Sequence, residues 1–165
     1  MFNMKEKLKK IKLIGFDVDG VFTDGKIYIN ENGEESKAFH TQDGQGIRNL
    51  IEIGIKVLVI SGRKSKAAEK RMIELGVNDY FLGYREKKEI FLKKIKDYQI
   101  KLTECAFVGD DISDGDLLDI VGFPIAVSNG RDEIKKSAFY TTQKSGGNGA
   151  IREISDLIIK TKDKE

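Results

Sequence analysis

The 165-residue sequence is poor in the residues that build disulfide frameworks and zinc sites. It contains one cysteine, Cys105, and one histidine, His40. A single cysteine cannot form an intrachain disulfide, and no Cys/His cluster is present to bind zinc. Cys105 lies in an apolar stretch, which predicts a buried position in the core.

The sequence also lacks long apolar runs and an excess of charge of one sign. No segment is long enough to span a membrane, and the lysine-rich residues 1–12 have no apolar region typical of a signal peptide. Its 29 basic and 27 acidic residues give a net charge of +2. That balance argues against a nucleic-acid-binding protein but leaves room for a small basic pocket. The lack of a membrane span and of a signal-peptide region predicts a cytoplasmic protein.

Buried-strand and amphipathic-helix patterns alternate along the chain, without an internal repeat or a linker. Strands are predicted near residues 13–16, 57–60, 80–82, 106–108, 125–127 and 139–141. Helices are predicted around residues 47–51, 68–75, 91–98, 117–121 and 151–158, the first starting near Asp43. This alternation predicts an α/β fold, a doubly wound parallel sheet in one domain over residues 1–165.

Residues 26–40 interrupt the alternation early in the chain. Asn32-Gly33 separates two short alternating stretches, a pattern typical of a β-hairpin. An isolated hairpin is marginally stable in water. Tyr28 and Phe39 are therefore expected at an oligomer interface, with an ordinary apolar face as the alternative.

Two aspartates close the first strand, in the run FDVDGVFTDG at residues 16–25. In an extended chain, residues i and i+2 project to the same side, so Asp17 and Asp19 can face one small volume. Gly20 allows the backbone to turn away from them. Two close anions repel unless a cation or a transferred proton relieves them. This strand end predicts a metal ion and a reaction.

Polar residues follow other predicted strands as well: Ser61, Asp110, Asp111, Asp114 and, after the weak strand, Lys87 and Lys88. In a doubly wound sheet such residues meet at the carboxyl ends of the strands. Carboxylates, a hydroxyl and an ammonium together predict a phosphate site assisted by Mg²⁺, which prefers hard oxygen ligands.

Four segments in this order resemble the motifs of the haloacid dehalogenase phosphatase superfamily: residues 17–23, Ser-Gly-Arg at 61–63, Lys87, and Gly-Asp-Asp-x-x-Asp at 109–114. Residues 23–25, 42–47 and 146–153, with a hairpin in place of a cap domain, are similar to the 3-deoxy-D-manno-octulosonate 8-phosphate phosphatases. The resemblance covers residues 12–159 and implies a Rossmann-like core. Residues 143–145 depart from it, because the family usually carries an arginine there.

The resemblance implies an aspartyl-phosphate mechanism. Asp17 would be the nucleophile and Asp19 the acid and base, rather than side chains that only cap a turn. Ser61 would donate to the phosphate, and Lys87 would balance charge. Dehalogenases need no acid at position 19, so Asp19 favours phosphoester hydrolysis.

The metal implied by the resemblance is Mg²⁺, bound by Asp17, Asp110 and the main-chain carbonyl of Asp19. Asp111 and Asp114 would hold metal-bound water or orient Lys87 and the loop, with a helix N-cap as the alternative for Asp114.

Four residues are expected to bind substrate. Arg63 follows Ser61, and its planar guanidinium suits a sugar carboxylate, although a surface ion pair is the alternative. Thr23 and Gly62 belong to the motifs, and Arg152 could meet an anionic substrate.

The activity that the resemblance implies is hydrolysis of 3-deoxy-D-manno-octulosonate 8-phosphate in lipopolysaccharide precursor synthesis, with a nonulosonate 9-phosphate or another sugar phosphate as the alternative substrate. Two other classes share part of this pattern: a receiver-like protein that carries a stable phospho-aspartate, and a non-catalytic interaction subunit. The late acidic cluster disfavours the first class, and the intact motif residues disfavour the second.

Because a cap is missing, another part must close the site, and the resemblance implies that neighbouring subunits do so in a homotetramer. Glycines 146, 147 and 149 would let the tail, residues 143–160, enter a neighbour's cleft. The alternative is a flexible loop before a packed helix.

Overall fold

The structure is a computed structural model that describes residues 3–163. Its helices are α1 (Met4–Lys10), α2 (Thr41–Glu52), α3 (Lys66–Leu75), α4 (Lys87–Asp97), α5 (Gly115–Leu118), α6 (Asp132–Ser137) and α7 (Ala150–Lys162). Its strands are β1 (Leu13–Phe16), β2 (Tyr28–Ile29), β3 (Glu35–Ser36), β4 (Lys56–Ser61), β5 (Asp79–Leu82), β6 (Cys105–Gly109), β7 (Phe123–Ala126) and β8 (Tyr140–Thr141). Within this part of the chain, no helix has the length and apolarity needed to cross a bilayer.

Six strands form one parallel sheet in the order β5-β4-β1-β6-β7-β8. From β1 the chain builds outward to β4 and β5 on one side, and then to β6, β7 and β8 on the other. The carboxyl end of β1 therefore lies where the winding reverses, the place at which such sheets form a crevice. The predicted doubly wound parallel sheet is confirmed.

Helices cover both faces of the sheet. Along β4, Val57 and Val59 join one apolar cluster, whereas Leu58 and Ile60 join the other. The first cluster is completed by buried residues of α1, α2, α3 and α7, and the second by those of α4, α5 and α6. A strand buried on both faces has a continuous run of apolar residues, and this pattern is why the sequence predicted these strands.

Capping residues mark both ends of helix α3. The Ser65 hydroxyl accepts a hydrogen bond from the Ala68 N–H (3.2 Å) at the start of α3. The helix ends at Gly76, whose φ of +76° is left-handed and favours glycine. The predicted stop at this glycine is confirmed.

The predicted hairpin is present, with two residues in each paired strand. Gly33 forms its turn at a φ of +78°. Within the described chain Tyr28 is 50% exposed and Ile29 is 65% exposed. The hairpin thus presents apolar side chains outward.

Three helices of the structure differ from the sequence-based prediction. Helices α1 and α6 were not predicted, because each buries only one apolar residue, Leu8 and Ile134, and so shows no apolar period. Helix α5 ends at Leu118, although the predicted helix reached Val121. Val121 is buried but lies outside the helix. Its apolar side chain continued the helical spacing of Leu117 and Leu118, so the predicted helix was too long.

Candidate active site

Asp17 directly follows β1 and is 7% exposed. Its N–H donates to the Val108 carbonyl (3.1 Å), which continues the pairing of β1 with β6. Its Oδ1 accepts the Val18 N–H (2.7 Å). The sheet and its own loop therefore hold this carboxylate in place.

The loop after Asp17 turns as the sequence predicts, for two reasons. Gly20 has a φ of +88°, and a Cβ there would lie 2.0 Å from Oδ2 of Asp110. The Thr23 hydroxyl accepts N–H groups from Gly20 and Gly25, both at 3.2 Å. Thr23 is 1% exposed, so in this structure it shapes the loop, and its contact with substrate stays a prediction.

Lys87, the first residue of α4, reaches the Asp17 carboxylate as expected. Its Nζ lies 3.0 Å from Oδ2 of Asp17 and 2.8 Å from Oδ1 of Asp114. Burial alone would lower the pKa of Lys87, but the two carboxylates outweigh it and raise the pKa. Lys88, the next residue of α4, is exposed and does not line the cleft.

Asp114 organises the loop after β6. Its Oδ2 accepts the N–H groups of Asp110 (3.0 Å) and Asp111 (3.3 Å), while Oδ1 accepts the Lys87 ammonium. It makes no side-chain cap to α5. Of the open roles for Asp114, the geometry supports orientation of Lys87 and of the loop. Asp111 instead accepts the N–H of Ile112 (2.7 Å).

Three carboxylates meet at one point beside a single ammonium. Oxygens of Asp17, Asp110 and Asp114 all lie within 4.8 Å of one another. Burial, followed by the charge of Asp114, raises the pKa of Asp17 to about 7 despite Lys87. Burial and the neighbouring carboxylates raise the pKa of Asp110 to about 8. When all three carboxylates are ionised, they carry more negative charge than the single ammonium of Lys87 balances.

A cleft of about 510 Å³ opens above this cluster. Its lining includes Asp17, Asp19, Gly25, Ser61, Gly62, Arg63, Arg85, Lys87, Asp110, Asp111 and Ser113. Ser61 ends β4 and is 3% exposed, with its hydroxyl near the Arg63 N–H (3.4 Å). The structure therefore brings the predicted Asp17, Asp19, Ser61, Gly62, Arg63, Lys87 and Asp110 together.

Asp19 belongs to a closed ring of four charges. Lys37, from the hairpin, pairs with Asp19 and lies 3.3 Å from Oε1 of Glu35. Arg63 Nη2 lies 2.6 Å from Oε2 of Glu35, and its Nε lies 3.7 Å from Oδ2 of Asp19. The Lys37 side chain is 0% exposed. The hairpin therefore helps to orient Asp19, and Arg63 already has two carboxylate partners.

Arg152 does not line the cleft of its own chain. It borders a separate surface hollow with Gln42 and Glu153, and its Nε donates to Asp156 (2.9 Å). A role in binding substrate in a neighbouring subunit stays a prediction.

The tail glycines pack closely against the chain's own active-site loop. A Cβ at Gly146 would lie 1.8 Å from the Gly20 carbonyl oxygen, and one at Gly147 would lie 2.5 Å from the Asp24 nitrogen. The Gly147 N–H donates to the Val21 carbonyl (3.1 Å). Within this chain, Gly146 and Gly147 allow a close approach of two backbone segments, and entry of the tail into a neighbour's cleft stays a prediction.

Comparisons with known proteins show the family to which this chain belongs. Two models described as haloacid dehalogenase-like hydrolase match residues 28–118 and 86–154. The 3-deoxy-D-manno-octulosonate 8-phosphate phosphatase KdsC of Escherichia coli is 39% identical over 153 residues, which cover 93% of this chain and 81% of that protein. The enzyme of the same name from Haemophilus influenzae is 37% identical, with 98% and 89% covered. The chain belongs to this phosphatase family.

Solved structures of the phosphatase family have the same fold. The enzyme from Moraxella catarrhalis, in complex with magnesium, phosphate and KDO, gives a TM-score of 0.94 at 40% identity and covers 96% of this chain and 91% of that one. The Yersinia pestis enzyme gives 0.94 at 38% identity, with 97% and 86% covered. The predicted family and fold class are confirmed.

The residues of this phosphatase fit a hard divalent cation. The cluster offers carboxylate oxygens of Asp17 and Asp110, ligands that suit Mg²⁺. A divalent cation would also offset the charge that Lys87 leaves unbalanced. The side chain of Asp114 is already engaged by Lys87 and two backbone N–H groups, which favours Asp17 and Asp110 as its carboxylate ligands.

Sequence reasoning missed four residues described above. Glu35 and Lys37 lie two positions apart in the hairpin, and the i, i+2 rule that paired Asp17 with Asp19 predicts only that they share a face. Asn129 follows β7 and joins the Gly20 carbonyl (3.0 Å) to the tail, where the Gly146 N–H donates to its Oδ1 (2.7 Å). Applying the strand-end rule to β7 would have identified it. Arg85 stands two positions before Lys87 and has no comparable signal.

Proposed function

We propose that this chain hydrolyses 3-deoxy-D-manno-octulosonate 8-phosphate to the free sugar acid and phosphate, and that it requires Mg²⁺. The observation that carries the proposal is the meeting of Asp17, Ser61, Lys87 and Asp110 at one buried cluster. The relative solved with magnesium, phosphate and KDO supports the substrate and the metal.

In the first step a carboxylate oxygen of Asp17 attacks phosphorus. An O–P bond forms while the bond from phosphorus to the sugar oxygen breaks, leaving an aspartyl-phosphate. Lys87, 3.0 Å from Asp17, and the Ser61 hydroxyl stabilise the phosphoryl charge. Asp19 gives its proton to the departing sugar alkoxide.

In the second step Asp19 takes a proton from water, and the water oxygen attacks the phosphorus of the aspartyl-phosphate. The bond from phosphorus to Asp17 breaks, which releases phosphate and restores the carboxylate. Lys37 and Arg63 support this use of Asp19, because they hold its carboxylate at the cleft wall.

Mg²⁺, held by Asp17, Asp110 and the Asp19 main-chain carbonyl, would supply positive charge to the phosphoryl oxygens. Thr23, Gly62, Arg63 and Arg152 stay predicted substrate-binding residues.

A panel of sugar phosphates tests this proposal through the rate of phosphate release. We expect the acidic octulosonate 8-phosphate to give the highest kcat/KM, and chelation of Mg²⁺ to remove the activity. A matching Asp17→Asn preparation controls for contaminating phosphatases. A higher kcat/KM for a nonulosonate 9-phosphate would support the alternative substrate, and a preference for neutral sugar phosphates would contradict the proposal.

We also propose that residues 1–165 form one domain and that the protein acts in lipopolysaccharide precursor synthesis. We further propose that it assembles as a homotetramer. The exposed Tyr28 and Ile29 of the hairpin support an interface. The cytoplasmic location stays a prediction.

A further inference from the structure

Three cationic side chains line the cleft, and their partners differ. Lys87 is paired with Asp17 and Asp114, and Arg63 with Glu35 and Asp19. Arg85 lines the same cleft, yet its guanidinium has no hydrogen bond or ion pair anywhere in residues 3–163. Arg85 is therefore the cation of this wall that is free to receive an anion.

The segment that carries Arg85 is tied on both sides to residues of the catalytic cleft. The N–H groups of Gly83 and Tyr84 donate to the Ser61 carbonyl at 2.9 and 3.0 Å. The Arg85 carbonyl accepts the Lys87 N–H (2.9 Å). The backbone of Arg85 is thus positioned relative to Ser61 and Lys87.

The side chain of Arg85 leaves this backbone over the turn that follows Ser61. A Cβ built at Gly62 would meet nothing closer than Cγ of Arg85, at 4.0 Å. Arg85 is exposed, whereas Ser61, Asp17 and Lys87 are buried. Because the phosphate must reach Asp17 at the buried end, the sugar part of the substrate is left in the outer part of the cleft, beside Arg85.

We propose that Arg85 binds the carboxylate of the sugar acid and so favours acidic over neutral sugar phosphates. This inference rests on the proposed function, whose substrate carries such a carboxylate. A guanidinium presents parallel N–H donors that match a carboxylate bidentately. Arg63 is less suited to this contact, because binding the substrate would require it to give up Glu35 or Asp19.

The test compares Arg85→Gln with the wild-type enzyme on the octulosonate 8-phosphate and on a neutral hexose 6-phosphate. Loss of a charged hydrogen bond predicts that KM for the acidic substrate rises about tenfold or more, with a smaller change in kcat. Inhibition by the free sugar acid weakens in parallel. Arg85→Lys keeps the charge but loses the planar donors, so it falls between the two.

Lys88→Gln is the matched control, because it removes one exposed positive charge at the start of α4 outside the cleft lining. We expect its KM for both substrates to stay close to wild type. Equal losses by Arg85→Gln on acidic and neutral substrates, or no loss on either, would overturn the inference alone if the wild type prefers the acid. A wild type without that preference overturns the proposed function and this inference with it.

Discussion

Asp17 and Asp19 are two residues apart, yet their surroundings differ. Asp17 is buried, and burial with the charge of Asp114 raises its pKa to about 7. Asp19 is more exposed and contacts Lys37 and Arg63. A buried carboxylate beside an ammonium suits a nucleophile, whereas a carboxylate at the cleft wall can exchange protons with a leaving group and with water.

At this scale we predict that Asp17→Asn abolishes turnover and keeps the fold. The amide has the shape of the carboxylate but is a poor nucleophile, so no aspartyl-phosphate forms. Asp19→Asn should also stop net hydrolysis, by removing the acid and base. Steady-state phosphate release measures both effects, and circular dichroism with thermal unfolding checks the fold.

Asp116→Asn provides a matched control, because Asp116 is exposed on α5. Its rate should equal that of the wild type. Substantial activity in Asp17→Asn, with deamidation excluded by mass spectrometry, would show that Asp17 is not the nucleophile.

At the scale of elements, α2 stabilises the start of α7. Asp43 of α2 is 1% exposed, and its two oxygens accept the N–H groups of Gly149 (3.3 Å) and Arg152 (3.0 Å). Gly149, the residue that precedes α7, has no side chain to cap the helix. A carboxylate at a helix N-terminus satisfies free N–H groups and interacts favourably with the helix dipole. Asp43 therefore joins two elements distant in sequence.

We predict that Asp43→Ala lowers the free energy of unfolding by about 2 kcal/mol, because it leaves buried N–H donors without a partner. Urea unfolding followed by circular dichroism measures the change.

The control is Asp156→Ala, which removes the partly exposed pair with Arg152 on α7. Such a pair contributes about 0.5 kcal/mol or less. If the two variants lost equal stability, Asp43 would not be acting as a buried cap.

At the scale of the whole molecule, the hairpin combines two surfaces. Lys37 and Glu35 face the active site, whereas Tyr28 and Ile29 are exposed within the chain. Exposed apolar side chains that are grouped together mark interaction surfaces. The proposed homotetramer would cover them and would hold the hairpin against the site.

We predict that Ile29→Lys reduces the mass of the assembly, because a lysine ammonium is costly to bury at an apolar interface. Sedimentation equilibrium measures that mass.

Ile73→Lys serves as the control, since Ile73 is similarly exposed (61%) but lies on α3. It should leave the mass unchanged. A monomeric wild type, or an Ile29→Lys protein that remains tetrameric, would contradict the proposed interface.

The tail packs against its own chain, which limits how its contacts between subunits can be tested. Residues 146 and 147 pack on the chain's own loop, and the helix that follows, α7, buries Ile151, Ile154 and Ile158 in the core. A chain ending at Thr142 would lose that core as well as the tail. Substitutions within the tail are therefore better probes of contacts between subunits than truncation.

What the sequence by itself determined follows from local geometry. The apolar strands, the turns at Gly20 and Gly76, the hairpin at Asn32-Gly33 and the strand-end carboxylates all depend on residues within a few positions of one another. Because parallel strands end at one edge of a sheet, the meeting of Asp17, Ser61 and Asp110 also followed from sequence.

Only the tertiary structure decided which charged groups pair. Lys87 and Asp114, which form a buried ion pair, are 27 positions apart, and Asp43 accepts the backbone N–H of Arg152 from 109 positions away. Arg63 and Arg85 have equal charge, yet of these two arginines Glu35 of the hairpin pairs with Arg63. Such pairings depend on how helices and hairpin pack on the sheet, because a long side chain can reach several partners and burial selects among them.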